Sequence, residues 1–235
     1  MSKLASQQRF PRLYPIVDEG VLARRGLDVR RFAEGLKAAG AELLQYRNKA
    51  GGPQEILRNA ALIGEAMAGS GCRLIMNDRA DLAVLAGWGG VHVGQGDLSP
   101  EDAKAVVLRT IAQPSQQREG WGTRIVSGSD MWVGVSTHSE GQVRVADGSC
   151  ADYVAVGPVF ATGTKLDAEA VIGLEGVRRA RALTTKPIVA IGGITRANAN
   201  SVIEAGADSV AVISALLVEG ETVEKVARDF LEILR

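Results

Sequence analysis

Short runs of apolar residues alternate with longer stretches in which apolar side chains recur at every third or fourth position, and this alternation repeats eight times along the chain. The runs are 13–17, 42–47, 73–77, 90–93, 131–135, 153–156, 187–191 and 209–213. Runs of that length, bounded by Gly, Pro and polar residues, predict buried strands. The stretches between them predict helices. Phe32, Leu36 and Ala39 share a helical face that Asp28 can cap and Gly40 stops. Ile56, Ala60, Ile63 and Met67 share another, on a helix expected over 53–69. Ser99 and Pro100 supply the cap and first turn of a further one. Helices are also expected at 80–86, 139–147, 174–183, 196–205 and 222–234.

Strand–helix units in strict alternation imply a parallel sheet covered by helices, and eight of them close into a single-domain α/β fold, the (β/α)8 TIM barrel. An open, doubly wound sheet is the alternative, but no Gly-x-Gly-x-x-Gly turn follows the first strand. The chain divides into an N-terminal lead, 1–12, and the barrel, 13–235. One stretch breaks the rhythm: 110–130 is long and rich in Gln, Gly, Ser and Arg. It connects a helix to the next strand, so it is expected as a surface insertion on the face opposite the barrel's active mouth.

Composition narrows the classes of function. With 235 residues, 46% of them hydrophobic, the chain can bury one large core. Lys+Arg and Asp+Glu both number 27, so no bulk charge draws the protein to nucleic acid or a membrane surface, and any anion site must be local. Two cysteines, Cys72 and Cys150, do not make a disulfide framework and suit a reducing, cytoplasmic setting. The polar opening 1–9 lacks the apolar core of a signal peptide, and the longest apolar window, 210–218, is too short to span a bilayer.

Barrel enzymes build their sites from the C-terminal ends of strands and the loops that follow. The polar residues of this chain cluster there. Gln45, Arg47 and Lys49 alternate at the end of strand two, so an amide and two cations share one side. Asn77 and Asp78 follow strand three, and Asp97 follows strand four in a loop whose helix already has Ser99 as its cap. Two carboxylates at neighbouring strand ends can share one hard cation such as Mg²⁺. His92, inside strand four, reads as a satisfied core histidine, and Ser136, Thr137 and His138 follow strand five. After strand six, Gly157 and Pro158 lead to Thr162, Gly163, Thr164 and Lys165, hydroxyls and a point charge suited to an oxyanion. Gly192 and Gly193 after strand seven, with Ser214 after strand eight, match the barrel phosphate site.

Taken together, Gln45-Tyr46-Arg47-Asn48-Lys49, Asn77-Asp78-Arg79, Val91-His92-Val93-Gly94-Gln95-Gly96-Asp97, Ser136-Thr137-His138-Ser139, Gly157-Pro158 with Thr162-Gly163-Thr164-Lys165, Gly192-Gly193-Ile194 and Val212-Ile213-Ser214-Ala215 resemble the thiamine-phosphate synthase family. The likeness runs in order from Leu13 to Leu217; the 110–130 stretch departs from the usual pattern but falls between the motifs. The resemblance implies a transferase that joins 4-amino-2-methyl-5-(diphosphooxymethyl)pyrimidine to 4-methyl-5-(2-phosphooxyethyl)thiazole, or its carboxylated form, and releases diphosphate. It implies that Gln45, Tyr46, Arg47, Asn48, Lys49, Asn77, Ser136 and Lys165 hold the pyrimidine diphosphate, with Arg47, Lys49, Ser136 and Lys165 acting in catalysis. It further implies Thr162, Gly163, Thr164, Gly193, Ile213 and Ser214 around the thiazole phosphate, and Asp78 and Asp97 on one Mg²⁺. The nearest rival is a thiazole tautomerase on the same barrel, using His138 as its acid–base group. Such an isomerase has no use for two cations, two carboxylates and Lys165 together. A non-catalytic barrel that carries a phosphorylated metabolite would likewise not need the carboxylates.

Overall fold

The structure, a computed structural model, describes residues 9–112, 131–162 and 170–235. Eight parallel strands hydrogen-bond in sequence order and close on themselves, β8 returning to β1. They are β1 Leu13–Asp18, β2 Leu43–Arg47, β3 Arg73–Asn77, β4 Gly90–Val93, β5 Trp132–Thr137, β6 Tyr153–Val156, β7 Ile188–Ile191 and β8 Ser209–Val212. The alternation of short apolar runs therefore produces the expected barrel, with strand bounds within two residues of those read from sequence.

Helices cover the outside. They are α1 Glu19–Arg24, α2 Val29–Ala39, α3 Pro53–Ala66, α4 Ala80–Leu85, α5 Pro100–Ala112, α6 Glu140–Gly148, α7 Gly173–Arg181, α8 Ala199–Glu204 and α9 Val223–Ile233. The expected caps form: Asp28 accepts from the Arg31 amide at 3.0 Å and Ser99 from the Asp102 amide at 3.1 Å. Ser139 and Thr222 cap α6 and α9 in the same way, accepting from Gln142 at 3.3 Å and Lys225 at 3.2 Å. Gly40 ends α2 in the left-handed conformation, φ 89°. The sequence pattern does not predict α1, whose six residues are too few to display a helical period. It overextends α8, because Asn198 accepts the Thr195 amide at 2.8 Å and makes a turn where helix was expected. A 3-10 turn, Ser214–Leu216, follows β8.

Strand alternation divides the core into two layers. Leu13, Val17, Leu44, Tyr46, Met76, Val91 and Val133 point outward into the layer between sheet and helices. Tyr14, Ile16, Leu43, Ile75, Tyr153, Ala155, Val189 and Ala211 point inward and fill the barrel. Phe10, from the lead, closes the bottom: it stacks on Trp132 with ring centroids 5.2 Å apart, and the Arg73 guanidinium lies 4.2 Å from the Trp132 ring. Phe10 also packs against Tyr153 inside the barrel, ring centroids 5.4 Å apart, so aromatic side chains fill that end.

Candidate active site

The end of β2 separates its side chains by parity. Gln45 is buried inside the barrel, where its Nε2 donates to Tyr14 Oη at 3.0 Å. Arg47 follows on the same side and pairs with Asp18 at the end of β1. Lys49 reaches across to Asp78 after β3. Tyr46 and Asn48 go elsewhere. The Tyr46 ring packs against Trp88 at 6.3 Å in the outer layer, and its hydroxyl accepts from Asn59 Nδ2 at 2.9 Å. Asn48 donates to Glu55 at 2.9 Å and accepts from the Gly51 amide at 2.7 Å, which shapes the β2–α3 loop. Of the five consecutive residues assigned to pyrimidine binding, the fold directs the side chains of Gln45, Arg47 and Lys49 to the mouth and turns those of Tyr46 and Asn48 to structural duty.

Asp78 is the one non-glycine residue among the described residues with positive φ, 62°, a conformation that Asp tolerates better than most side chains. It sets the carboxyl group beside Lys49 and within hydrogen-bonding reach of Asp97. Burial pushes the Asp78 carboxyl above its ordinary range; Lys49 opposes this and the Asp97 carboxylate adds to it. Burial acts upward on Asp97 too, but the Gly94 amide at 2.8 Å, the Asp78 carboxyl and Lys49 outweigh it and leave Asp97 below the usual carboxylate range. Two carboxyl groups set this close offer a hard cation a common seat. Among the described residues no group of three or more His, Cys, Asp or Glu stands ready to cage a metal. A pair of carboxylates fits Mg²⁺, which keeps waters and binds substrate phosphates as its other ligands.

Across the mouth, β5 runs on through Ser136 and Thr137, which the sequence pattern places after the strand. Ser136 Oγ lies 2.8 Å from His92 Nε2, and the Ser136 carbonyl accepts from Gln95 Nε2 at 2.6 Å. His138 ties neighbouring loops together: its Nδ1 lies 2.8 Å from the Gly157 carbonyl, which makes that nitrogen the donor. Asn77 ends β3, half-buried beside Asp78.

The β6 and β7 loops run together past their strands. The Val159 amide donates to the Ile191 carbonyl at 2.9 Å and the Phe160 amide to Gly192 at 3.0 Å. Gly193 sits at φ 63°, and a Cβ there would lie 2.5 Å from the Ala161 carbonyl oxygen. Only glycine permits so close an approach. Thr162 is half-buried at the end of the described β6 loop, while Gly163, Thr164 and Lys165 lie outside the described residues, as does 113–130. Ile213 and Ser214 lead into the 3-10 turn, with Ser214 exposed to the mouth's solvent. That loop is pinned from outside, since Arg196 after β7 pairs with Glu221 at 2.6 Å.

Sequence reasoning missed Asp18, Tyr14 and Tyr153. The signal for Asp18 was its place as the last residue of β1, a carboxylate two strand positions from the inward-facing Ile16. The tyrosines gave no signal, because each reads as one more large side chain in a buried run.

Comparison with known proteins bears on the same residues. The model of a family described as thiamine monophosphate synthase matches 13–112 and 122–216, and the gap between the two falls within the 110–130 stretch. The thiamine-phosphate synthase of Koribacter versatilis (strain Ellin345) is 46% identical over 233 residues, covering 98% of this chain and 99% of that protein. That of Chloroflexus aurantiacus is 39% identical over 208 residues, 88% of this chain and 85% of that one. Among solved structures, a thiamine phosphate pyrophosphorylase from Pyrococcus furiosus superposes with a TM-score of 0.75 at 30% identity, over 95% of each chain.

Proposed function

The chain belongs to the thiamine monophosphate synthase family, whose transferase activity it shares, and we propose that its barrel mouth joins the pyrimidine diphosphate to the thiazole phosphate through the residues described above. The observation that carries the reading is the convergence of Arg47, Lys49, Asp78 and Asp97 at three adjacent strand ends. It supports the reading because a departing diphosphate calls for cations and a carboxylate pair close together.

In the reaction the methylene C–O bond breaks and its electron pair departs with the diphosphate. The thiazole nitrogen lone pair forms the new C–N bond, leaving a thiazolium cation. Negative charge grows on the leaving group as this happens. Arg47 and Lys49 would stabilise it as fixed cations, and Ser136 would donate a hydrogen bond to it. Lys165, on the β6 loop, would add a third cation. Asn77 and the inward Gln45 would orient the pyrimidine ring and its diphosphate arm. Thr162, Gly163, Thr164, Gly193, Ile213 and Ser214 would grip the thiazole phosphate, a handle that aligns the nitrogen with the carbon it attacks. Asp78 and Asp97 would hold Mg²⁺, which supplies charge neutralisation to the diphosphate when bound. No strong base is needed, since the nucleophile is a neutral ring nitrogen; His138, fixed on the Gly157 carbonyl, is not asked for acid–base work.

The test is the purified chain with both substrates and Mg²⁺, followed by mass spectrometry. Thiamine phosphate and diphosphate in equal amounts are expected, and replacing Asp78 or Asp97 with Ala should remove the Mg²⁺ response. Turnover by both variants equal to the parent's at limiting Mg²⁺ would overturn the metal assignment.

A further inference from the structure

Five side chains form one hydrogen-bonded line through the barrel, from the end of β2 to the end of β5. Gln45 Nε2 donates to Tyr14 Oη at 3.0 Å, Tyr14 Oη lies 2.8 Å from Tyr153 Oη, Tyr153 Oη lies 3.1 Å from His92 Nδ1, and His92 Nε2 lies 2.8 Å from Ser136 Oγ. Tyr14 is 1% exposed and Tyr153 0%, so each phenol must give its proton to an acceptor within the protein. Burial also raises both phenols well above their ordinary range, so they stay protonated.

The donor inventory then fixes the direction of every link. The amide Nε2 of Gln45 can only donate. Tyr14 Oη therefore accepts from Gln45 and gives its own hydrogen to Tyr153 Oη, its other neighbour. Tyr153 Oη has accepted from Tyr14 and must give its hydrogen to His92 Nδ1. An imidazole that accepts at Nδ1 carries its proton on Nε2. That proton faces Ser136 Oγ, and Ser136, having accepted it, turns its own hydrogen to the mouth.

We propose that this line is a directional relay of positioning residues, in which Tyr153 and His92 hold Ser136 as a hydrogen-bond donor toward the leaving diphosphate and Tyr14 holds Gln45 at the other end. It rests on the reading of Ser136 as a diphosphate contact. The other end is polarised as well. Gln45 spends one N–H on Tyr14 and keeps its carbonyl oxygen and second N–H for the substrate, a pair matched to an amino group beside a ring nitrogen. Substrate orientation and leaving-group stabilisation thus share one set of buried groups.

The chain has two histidines, so ¹⁵N spectra of the full-length labelled protein, with His138→Gln for assignment, report the His92 tautomer without substrate. At about pH 8, above the ordinary imidazole range, His92 should show a bare Nδ1 and a protonated Nε2. In Tyr153→Phe the proton should spread to Nδ1, turnover should fall about tenfold as one hydrogen bond to the charged leaving group is lost, and KM for the thiazole phosphate should hold. Adding Ser136→Ala to Tyr153→Phe should cost little more, because the two act as one unit. Tyr14→Phe is the companion variant: it should keep the His92 tautomer, since Tyr153 still donates, but raise KM for the pyrimidine diphosphate by freeing Gln45. A parent protein with its His92 proton on Nδ1, or a tautomer unmoved by Tyr153→Phe, would overturn the relay. The expected tautomer together with full turnover in Ser136→Ala would instead overturn the reading of Ser136 and the donor role built on it.

Discussion

Asp18 holds Arg47 with one carboxylate oxygen and the Val21 amide with the other, at 2.9 Å, so a single buried side chain orients a candidate catalytic guanidinium and caps α1. The two tasks fall to different oxygens of the carboxylate, so substitutions can separate them.

Asp18→Asn keeps a capping acceptor but loses the charge on Arg47. Its stability cost should stay near 1 kcal/mol, the range of a weakened cap, while KM for the pyrimidine diphosphate rises roughly tenfold as the charge-assisted bond that aims Arg47 disappears. Asp18→Ala should lose the cap too and unfold at lower urea. Urea titrations and initial rates measure both; equal KM in the parent and Asp18→Asn would show that Arg47 does not depend on this partner.

Asp78 carries its carboxyl group on a left-handed backbone, φ 62°. Asp78→Gly removes the carboxylate and relaxes that backbone, a change that gains up to about 1 kcal/mol where φ is positive. The variant is expected to melt no lower than the parent yet turn over at least tenfold more slowly, as one of the two carboxylates is gone. Retained turnover would remove Asp78 from the site, and a lower melting temperature would mean that its ion pair with Lys49 outweighs the backbone cost.

Gly193 is wedged against the β6 loop at φ 63°. Gly193→Ala forces a Cβ to within 2.5 Å of the Ala161 carbonyl oxygen and should cost about 1–3 kcal/mol of stability. Because the two loops flank the proposed thiazole phosphate site, KM for that substrate should rise more than KM for the pyrimidine diphosphate. An equal rise in both would place the damage in the fold as a whole.

Arg196, Glu221, Lys225 and Asp229 form a cluster that straps the β8 loop to α9. Hydrogen bonds from Arg196 and then Lys225 bring the Glu221 carboxyl down to about 2, and Lys225 and Arg196 lower Asp229 as well. A carboxyl depressed in the folded state contributes stability above its unfolded value and loses it as pH falls toward its folded one. Stability from Glu221 should therefore be complete above about pH 4.5 and fade down to about pH 2. Glu221→Gln should flatten the stability profile over that window, as read by melting temperature against pH; an unchanged slope would mean that solvent screens the cluster.

Much of this was legible in the chain itself. Gly90–Val93 and Tyr153–Val156 are short apolar runs, and they are strands to the residue. Asp28 and Ser99 are caps in sequence and in space because a cap acts within three residues. Candidate site residues were legible where they alternate at a strand end, as Gln45 and Arg47 do. The same alternation gives the neighbouring side chains of Tyr46 and Asn48 other partners, Trp88 and Asn59 for the one and Glu55 for the other.

The sequence by itself determined the number of strand–helix units, hence the barrel, and which chemical groups stand at each strand's C-terminal end. Both follow from forces that act over a few residues: burial at a fixed period, capping and turn geometry. Only the tertiary structure decided which of those groups meet. Tyr14 and Tyr153 lie 139 residues apart and touch because barrel closure carries β1 across from β6. Asp18 finds Arg47, and Asp78 finds both Lys49 and Asp97, because register between strands sets heights that no single segment encodes. Local periodicity places a side chain on a face; the partner it finds there depends on the closing of the whole ring.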